Sequence, residues 1–153
     1  MARNRVHLTA ELDSPPDAVF TAFTDRFDAL WAGKMEYYEE GRDPSEPRGL
    51  GAKRRLDPPG VPGHLDEEIV SHDRPRLIEY RVINEDAAFQ DHLGRIELTE
   101  RNGGTHVDYA VSFDYRPALA GPIAAAAMRL GWRLRGARRL RRAAREIAAA
   151  AAG

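Results

Sequence analysis

Five polar side chains sit among apolar residues in a way that could serve chemistry: Arg54, Glu67, Tyr80, His92 and Tyr109. Each lies in an alternating stretch, and in an extended strand residues two apart share a face. Arg54 therefore travels with Leu56, Glu67 with Ile69, and Tyr80 with Ile78 and Val82. His92 and Gly94 travel with Ile96 and Leu98, and Tyr109 with Val107, Val111 and Phe113. A carboxylate carried onto an apolar face is costly unless paired, so Arg54 or Lys34 is expected beside Glu67. Tyr80, His92 and Arg54 are groups that can move or stabilise a proton, which makes them the candidates for catalysis. Each polar group also has a plainer reading. Glu67 fits a wet cavity mouth or a structural ion pair, His92 a solvated strand end, and the tyrosines a packed core with satisfied hydroxyls.

Other chemistries lack their residues. The chain has no cysteine, which removes disulfides, thiolate nucleophiles and cysteine-ligated metal. His7, His64, His72, His92 and His106 are scattered without a ligating pair, so no metal and no cofactor is expected. Gly49-Leu50-Gly51 is too short for a phosphate-binding loop, and Ser71 and Ser112 lack a nucleophile elbow.

The elements that must position these side chains are mostly strands. Val6, Leu8, Ala10 and Leu12 alternate with polar residues as the first strand. Asp13-Ser14-Pro15-Pro16-Asp17 then reads as a helix start, with Asp13 or Ser14 as the cap and Val19, Phe20, Phe23 and Phe27 as the apolar face. Further strands are predicted over 34–40, 51–56, 65–72, 77–83, 92–100 and 106–115. The last two are joined by Asn102-Gly103-Gly104, a strong hairpin signal. The proline-dense stretch 57–63 cannot lie inside a sheet and is expected as a loop near the domain's edge.

From Leu119 to Ala151 the pattern predicts one long helix. Leu119, Ile123, Ala127, Leu130, Leu134, Ala137, Leu140, Ala144 and Ile147 recur at helical spacing, as a stripe that should face the sheet. A straight helix of that length would run about 48 Å, too long for a domain this size, so a bend or break is expected at Gly131 or Gly136. Met128 and Trp132 fall opposite the stripe: a break turns them inward, or they stay outside as an apolar spot for a partner. Ala124 to Ala127 is small enough to leave room beneath the helix.

With 153 residues, one domain spanning 1–153 is expected. Net charge is −1, yet residues 129–146 hold eight arginines against the single acid Glu146. Arg133, Arg135, Arg138, Arg139 and Arg142 could touch an anionic membrane, or simply solvate an outer face. Nucleic-acid binding is not expected, because the arginines lack interleaved aromatics and the remainder is acidic. The N-terminal residues from Met1 run into a strand without an apolar leader, and no apolar run approaches the ~20 residues of a membrane span, so a cytoplasmic protein is expected.

Order and motifs together resemble the polyketide cyclase/START-like superfamily, also called SRPBCC or Bet v 1-like. The resemblance is carried by 12–20 (LDSPPDAVF), Trp31, 49–52 (GLGA), 67–80 (EEIVSHDRPRLIEY) and 103–107 (GGTHV). It implies an α+β helix-grip fold, a seven-stranded curved antiparallel sheet wrapped around a long C-terminal helix, with short helices after the first strand. It also implies an apolar cavity between sheet and helix. Plant hormone receptors that resemble this pattern place an acid at the position of Glu67. The expected lining is Trp31, Met35, Arg54, Leu56, Glu67, Ile69, Tyr80 and Val82, with His92, Ile96, Tyr109, Val111, Phe113, Ile123, Ala127 and Leu130 completing it. Three functions follow: a binder of a small apolar or aromatic, lipid-like or polyketide-like ligand; an aromatase/cyclase; or a lipid carrier or interaction module acting through the arginine-rich helix.

Overall fold

Alternation of buried and exposed residues along seven stretches builds one antiparallel sheet in the computed structural model, which describes residues 2–31 and 33–153. Met1, the start of the expected leaderless N-terminus, lies outside them. The strands are β1 (Asn4–Leu12), β2 (Lys34–Glu39), β3 (Lys53–Asp57), β4 (Leu65–Asp73), β5 (Leu77–Val82), β6 (Phe89–Arg101) and β7 (Gly104–Tyr115). Their order is β1-β7-β6-β5-β4-β3-β2, every pairing antiparallel. Asn102 and Gly103, at φ 53 and 79, form the two-residue turn between β6 and β7, which demands the left-handed region at both positions.

Two short helices, α1 (Pro16–Asp25) and α2 (Phe27–Trp31), follow β1 and bury Val19, Phe20, Phe23, Phe27 and Leu30. The expected cap is corrected: Pro15 occupies the N-cap and no side chain caps the helix. Ser14 is buried instead, its carbonyl accepting from Thr105 Oγ1 at 2.8 Å, and Asp13 pairs with Arg145 Nη2 at 2.9 Å. That ion pair ties the end of β1 to the far end of the terminal helix.

The C-terminal helix is interrupted between the two expected glycines. It comprises α3 (Gly121–Gly131), a π-helical turn Trp132–Gly136, and α4 (Ala137–Ala152). A π turn holds one residue more than a regular helix over the same path, about 100° of helical phase. A stripe extrapolated through it at regular spacing therefore holds on one side only. In α4 the stripe is inward, with Ala137, Leu140 and Ala144 buried. Upstream, from just before α3 into the π turn, it is outward: Leu119, Ile123, Leu130 and Leu134 are 92%, 71%, 54% and 59% exposed. Gly121, Ala125 and Trp132 take the inner face instead, and Met128 is half-buried.

Trp132 explains the choice. Its ring lies against Tyr109 and Trp31, with centroids at 5.7 and 6.2 Å, and its Nε1 donates to the Thr9 carbonyl at 2.9 Å. Gly136 makes room: a Cβ there would come within 3.0 Å of the indole. Seating an indole and satisfying its N–H outweighs burying two leucines that lack such a fit. Trp132→Ala is expected to cost about 3–5 kcal/mol in urea unfolding, whereas Leu134→Glu changes stability by no more than about 0.5 kcal/mol. The reverse ranking would place α3 in the wrong phase.

Candidate functional site

Between the concave face of the sheet and α3 lies a cavity of about 420 Å³. That is within the range of small-molecule sites. Its walls are largely apolar, with Phe27 and Trp31 from α2, Leu56 and Leu65 from β3 and β4, and Phe89 and Tyr115 at the far ends of β6 and β7. Ala124, Ala127, Met128 and Gly131 form the roof, and the small residues among them are why the space stays open. The mouth opens between the Pro58–Val61 loop and α3, where Pro59, Gly60 and Ile123 line the cavity while exposed to solvent.

One wall is polar. β3 and β4 pair Arg54 with Glu67, and Arg54 Nε donates to Glu67 Oε1 at 2.9 Å with both side chains almost wholly buried. Arg54 Nη1 donates to the Phe23 carbonyl at 3.4 Å and to the Tyr37 hydroxyl at 3.3 Å. Its guanidinium stacks 4.1 Å from the Phe27 ring centre. Burial alone would lower the Arg54 pKa, but the Glu67 carboxylate and the Tyr37 and Tyr80 hydroxyls outweigh it and hold the guanidinium charged. Burial raises the Glu67 pKa, and Arg54 opposes that rise. Glu67 faces the cavity with Arg54 behind it. The Lys34 alternative is corrected, since Lys34 is exposed on edge strand β2.

His92 stands across the sheet from Glu67. Glu67 pairs with Val82, and the Val82 N–H donates to His92 Nδ1 at 3.2 Å. That bond occupies the Nδ1 lone pair and leaves the proton on Nε2. Burial first, then the positive charges of Arg81 and Arg54, lower the His92 pKa to about 3. The imidazole is therefore neutral and presents a donor. Among the described residues only His72 Nε2 is a wholly buried side-chain polar atom without a hydrogen-bond partner, and it lies 3.9 Å from Glu46 Oε2. Glu67 Oε2 and His92 Nε2 make no hydrogen bond to a described residue, so both look onto the cavity they line.

Beside them the Tyr80 and Tyr109 hydroxyls hydrogen-bond to each other, and burial pushes both phenols well above their ordinary pKa. Tyr80 reaches this position by lying across Gly94, its neighbour on β6. A Cβ at residue 94 would stand 2.2 Å from Tyr80 Cζ, so only glycine lets the ring pass.

Of the residues expected to line a cavity, Trp31, Leu56, Glu67, Tyr80, His92, Tyr109, Ile123 and Ala127 do so. Arg54 sits one layer behind. Ile69, Ile96, Val111 and Phe113 are packed into the core away from the space, and Met35 and Val82 are half-buried outside it. Leu130 is turned out by the phase shift described above.

The lining also includes residues the sequence reading did not nominate. Phe89 precedes a bulge in β6 where Asp91 has φ 46 and the register slips between Gln90 and Leu93, which brings Phe89 and His92 to one face despite their odd spacing. Phe27 was legible as an apolar helix residue, and Leu65 and Tyr115 as strand ends. The Pro58–Val61 loop carries no periodic signal. No group of three or more His, Asp or Glu side chains suited to a metal is present among the described residues.

The comparisons agree with this architecture. Residues 3–148 match the family described as polyketide cyclase / dehydrase and lipid transport, and the chain belongs to that family. Its fold is the Bet v 1-like helix grip. Protein MLL2253 from Mesorhizobium loti superposes with a TM-score of 0.64 at 17% identity, covering 94% of this chain and 96% of that one. DynU16, a protein in the dynemicin biosynthetic locus, does so with a TM-score of 0.59 at 24% identity over 90% of this chain and 46% of its own. Ara h 8.0201 gives 0.62 at 13% identity, covering 96% and 98%. No curated protein matches the sequence.

Two outcomes test the polar wall. Arg54→Met is expected to lose about 3–5 kcal/mol in urea unfolding by stranding Glu67, and Arg54→Met with Glu67→Leu recovers most of the loss. His92 stays neutral in the folded protein down to about 3 but protonates near its ordinary 6.5 when unfolded. The unfolded state then holds the extra proton between those values, so stability falls as pH drops below 6.5. From about pH 6.5 to about pH 5, wild type should lose roughly 2 kcal/mol more than His92→Gln. Parallel pH profiles would show that the ring is not buried neutral.

Proposed function

We infer that this protein binds a hydrophobic ligand, the reading its family and fold support in general. We propose that this protein holds a neutral, largely aromatic or polyketide-like molecule between sheet and α3. The observation that carries the reading is an apolar cavity of about 420 Å³ with one polar wall presenting a fixed donor and a fixed acceptor. His92 Nε2–H suits a ketone or similar carbonyl on the guest, and Glu67 Oε2 suits a hydroxyl. An anionic guest is disfavoured, because Glu67 rather than Arg54 faces the space. Phe27, Trp31, Phe89 and Tyr115 offer rings for edge or face contact with a planar molecule.

Binding is the better supported reading against an aromatase/cyclase, since the side chains nominated for catalysis, Tyr80, His92 and Arg54, are poorly suited to proton transfer near neutral pH. His92 has its lone pair engaged and its pKa near 3, both phenols are pushed upward, and Arg54 is held charged. Nile red, a neutral apolar dye, should bind the purified protein and be displaced by a planar hydroxyaryl ketone. Ala124→Trp, at a half-buried position of the roof, is expected to weaken dye binding by at least about tenfold. His92→Phe should weaken the ketone by about fivefold and the dye far less, the difference of one hydrogen bond. Dye binding unaffected by Ala124→Trp in a folded variant would remove the cavity as the site.

A further inference from the structure

The outward face of α3 is an apolar stripe with charge beside it. Ile123, Ala127 and Leu130 fall within about 60° of one another around α3, Leu134 follows in the π turn, and all four are exposed. Leu119 continues the stripe at its N-terminal end and is 92% exposed. Arginines adjoin it in sequence, as Arg129-Leu130 and Arg133-Leu134-Arg135, with Arg138 one turn on.

These arginines are not equivalent. Arg129 donates to the Arg5 carbonyl, Arg139 to the Ala29 carbonyl and Arg141 to the Glu11 carbonyl. Arg142 pairs with Glu146, and Arg145 with Asp13. Arg133, Arg135 and Arg138 make no hydrogen bond or ion pair with a described residue, and all three are exposed. Arg139 and Arg142, expected earlier on the same surface, therefore belong to the seam with α2 and to the α4 surface. No Asp or Glu occurs between Asp114 and Glu146.

We propose that this face docks on an anionic lipid bilayer. Leucines and an isoleucine on one stripe, with unpaired guanidinium groups beside them, are what an interfacial helix presents to acyl chains and acidic headgroups. A second copy of this chain fits poorly, because a self-contact would bring the free arginines together with no acid nearby. Nucleic acid would leave the leucines without a partner. The placement has a consequence for the cavity: Ile123 and Ala127 belong both to the stripe and to the lining. Docking by this face sets the cavity mouth against the bilayer, so an apolar guest can pass between them without crossing water.

The full-length protein is tested by co-sedimentation with vesicles of phosphatidylcholine alone and of about three parts phosphatidylcholine to one of phosphatidylglycerol. Binding is expected to the mixed vesicles only, and to fall steeply towards about 1 M salt. Leu130→Glu with Leu134→Glu should weaken it by at least about tenfold. Arg133→Glu, Arg135→Glu and Arg138→Glu together should weaken it by about a hundredfold. These positions are exposed, so circular dichroism and Nile red binding should match wild type, which separates failure of this face from failure of the cavity. Equal binding to both vesicle types, or mixed-vesicle binding unchanged in either variant, overturns the proposal. So does a dimer in analytical ultracentrifugation that the leucine variant dissociates.

Discussion

The seat of Trp132 decides most of what this molecule can do. An open seven-stranded sheet leaves its concave face bare, and whatever covers that face fixes the volume left beneath. The indole is held by two other aromatic rings and by a hydrogen bond to the first strand, so the helix has one rotational setting at this point. From that setting the roof of small residues follows, and so does the outward turn of the leucines. The helix is locked at its middle, and the two halves take their phases from there.

The polar wall is a second constraint, of a different kind. A guanidinium and a carboxylate buried together tolerate the low dielectric only while both are present, so the pair is structural as well as chemical. Arg54 spends its charge on Glu67 and on neighbouring rings, which leaves the cavity with an acceptor that is nearly neutralised. His92, fixed by a backbone amide, adds a donor that no pH near neutrality can convert. A wall of this type offers hydrogen bonds in a fixed pattern.

Strand parity is readable because a two-residue period leaves little ambiguity, and it carries Glu67, Tyr80, His92 and Tyr109 to one side. Electrostatics requires a cation beside Glu67 but leaves Arg54 and Lys34 open, and the β3–β4 register decides for Arg54. The helix was harder. Regular spacing extrapolates across Trp132–Gly136 as though no residue were added there, and the error appears only upstream of the turn. Ile123 and Ala127 still reached the cavity rim, while Leu130 did not. Phe89 was hidden for a similar reason, a bulge at Asp91 that breaks parity. The Pro58–Val61 segment lines the mouth by position rather than by pattern, and a proline-rich loop has no period to read. Both failures of periodicity are local insertions in an otherwise regular element.

The π turn also bears on how the chain tolerates changes in length. Its surplus residue is absorbed between two seats, Trp132 on one side and Ala137 with Leu140 on the other. Loss of one exposed position among Arg133, Leu134 and Arg135 would let the turn close into ordinary α-helix with both seats kept. Elsewhere in the helix the same deletion would swing one half off the sheet. Among relatives of differing length, a gap of a single residue is therefore most easily accommodated here, where the ladder of the helix already carries slack.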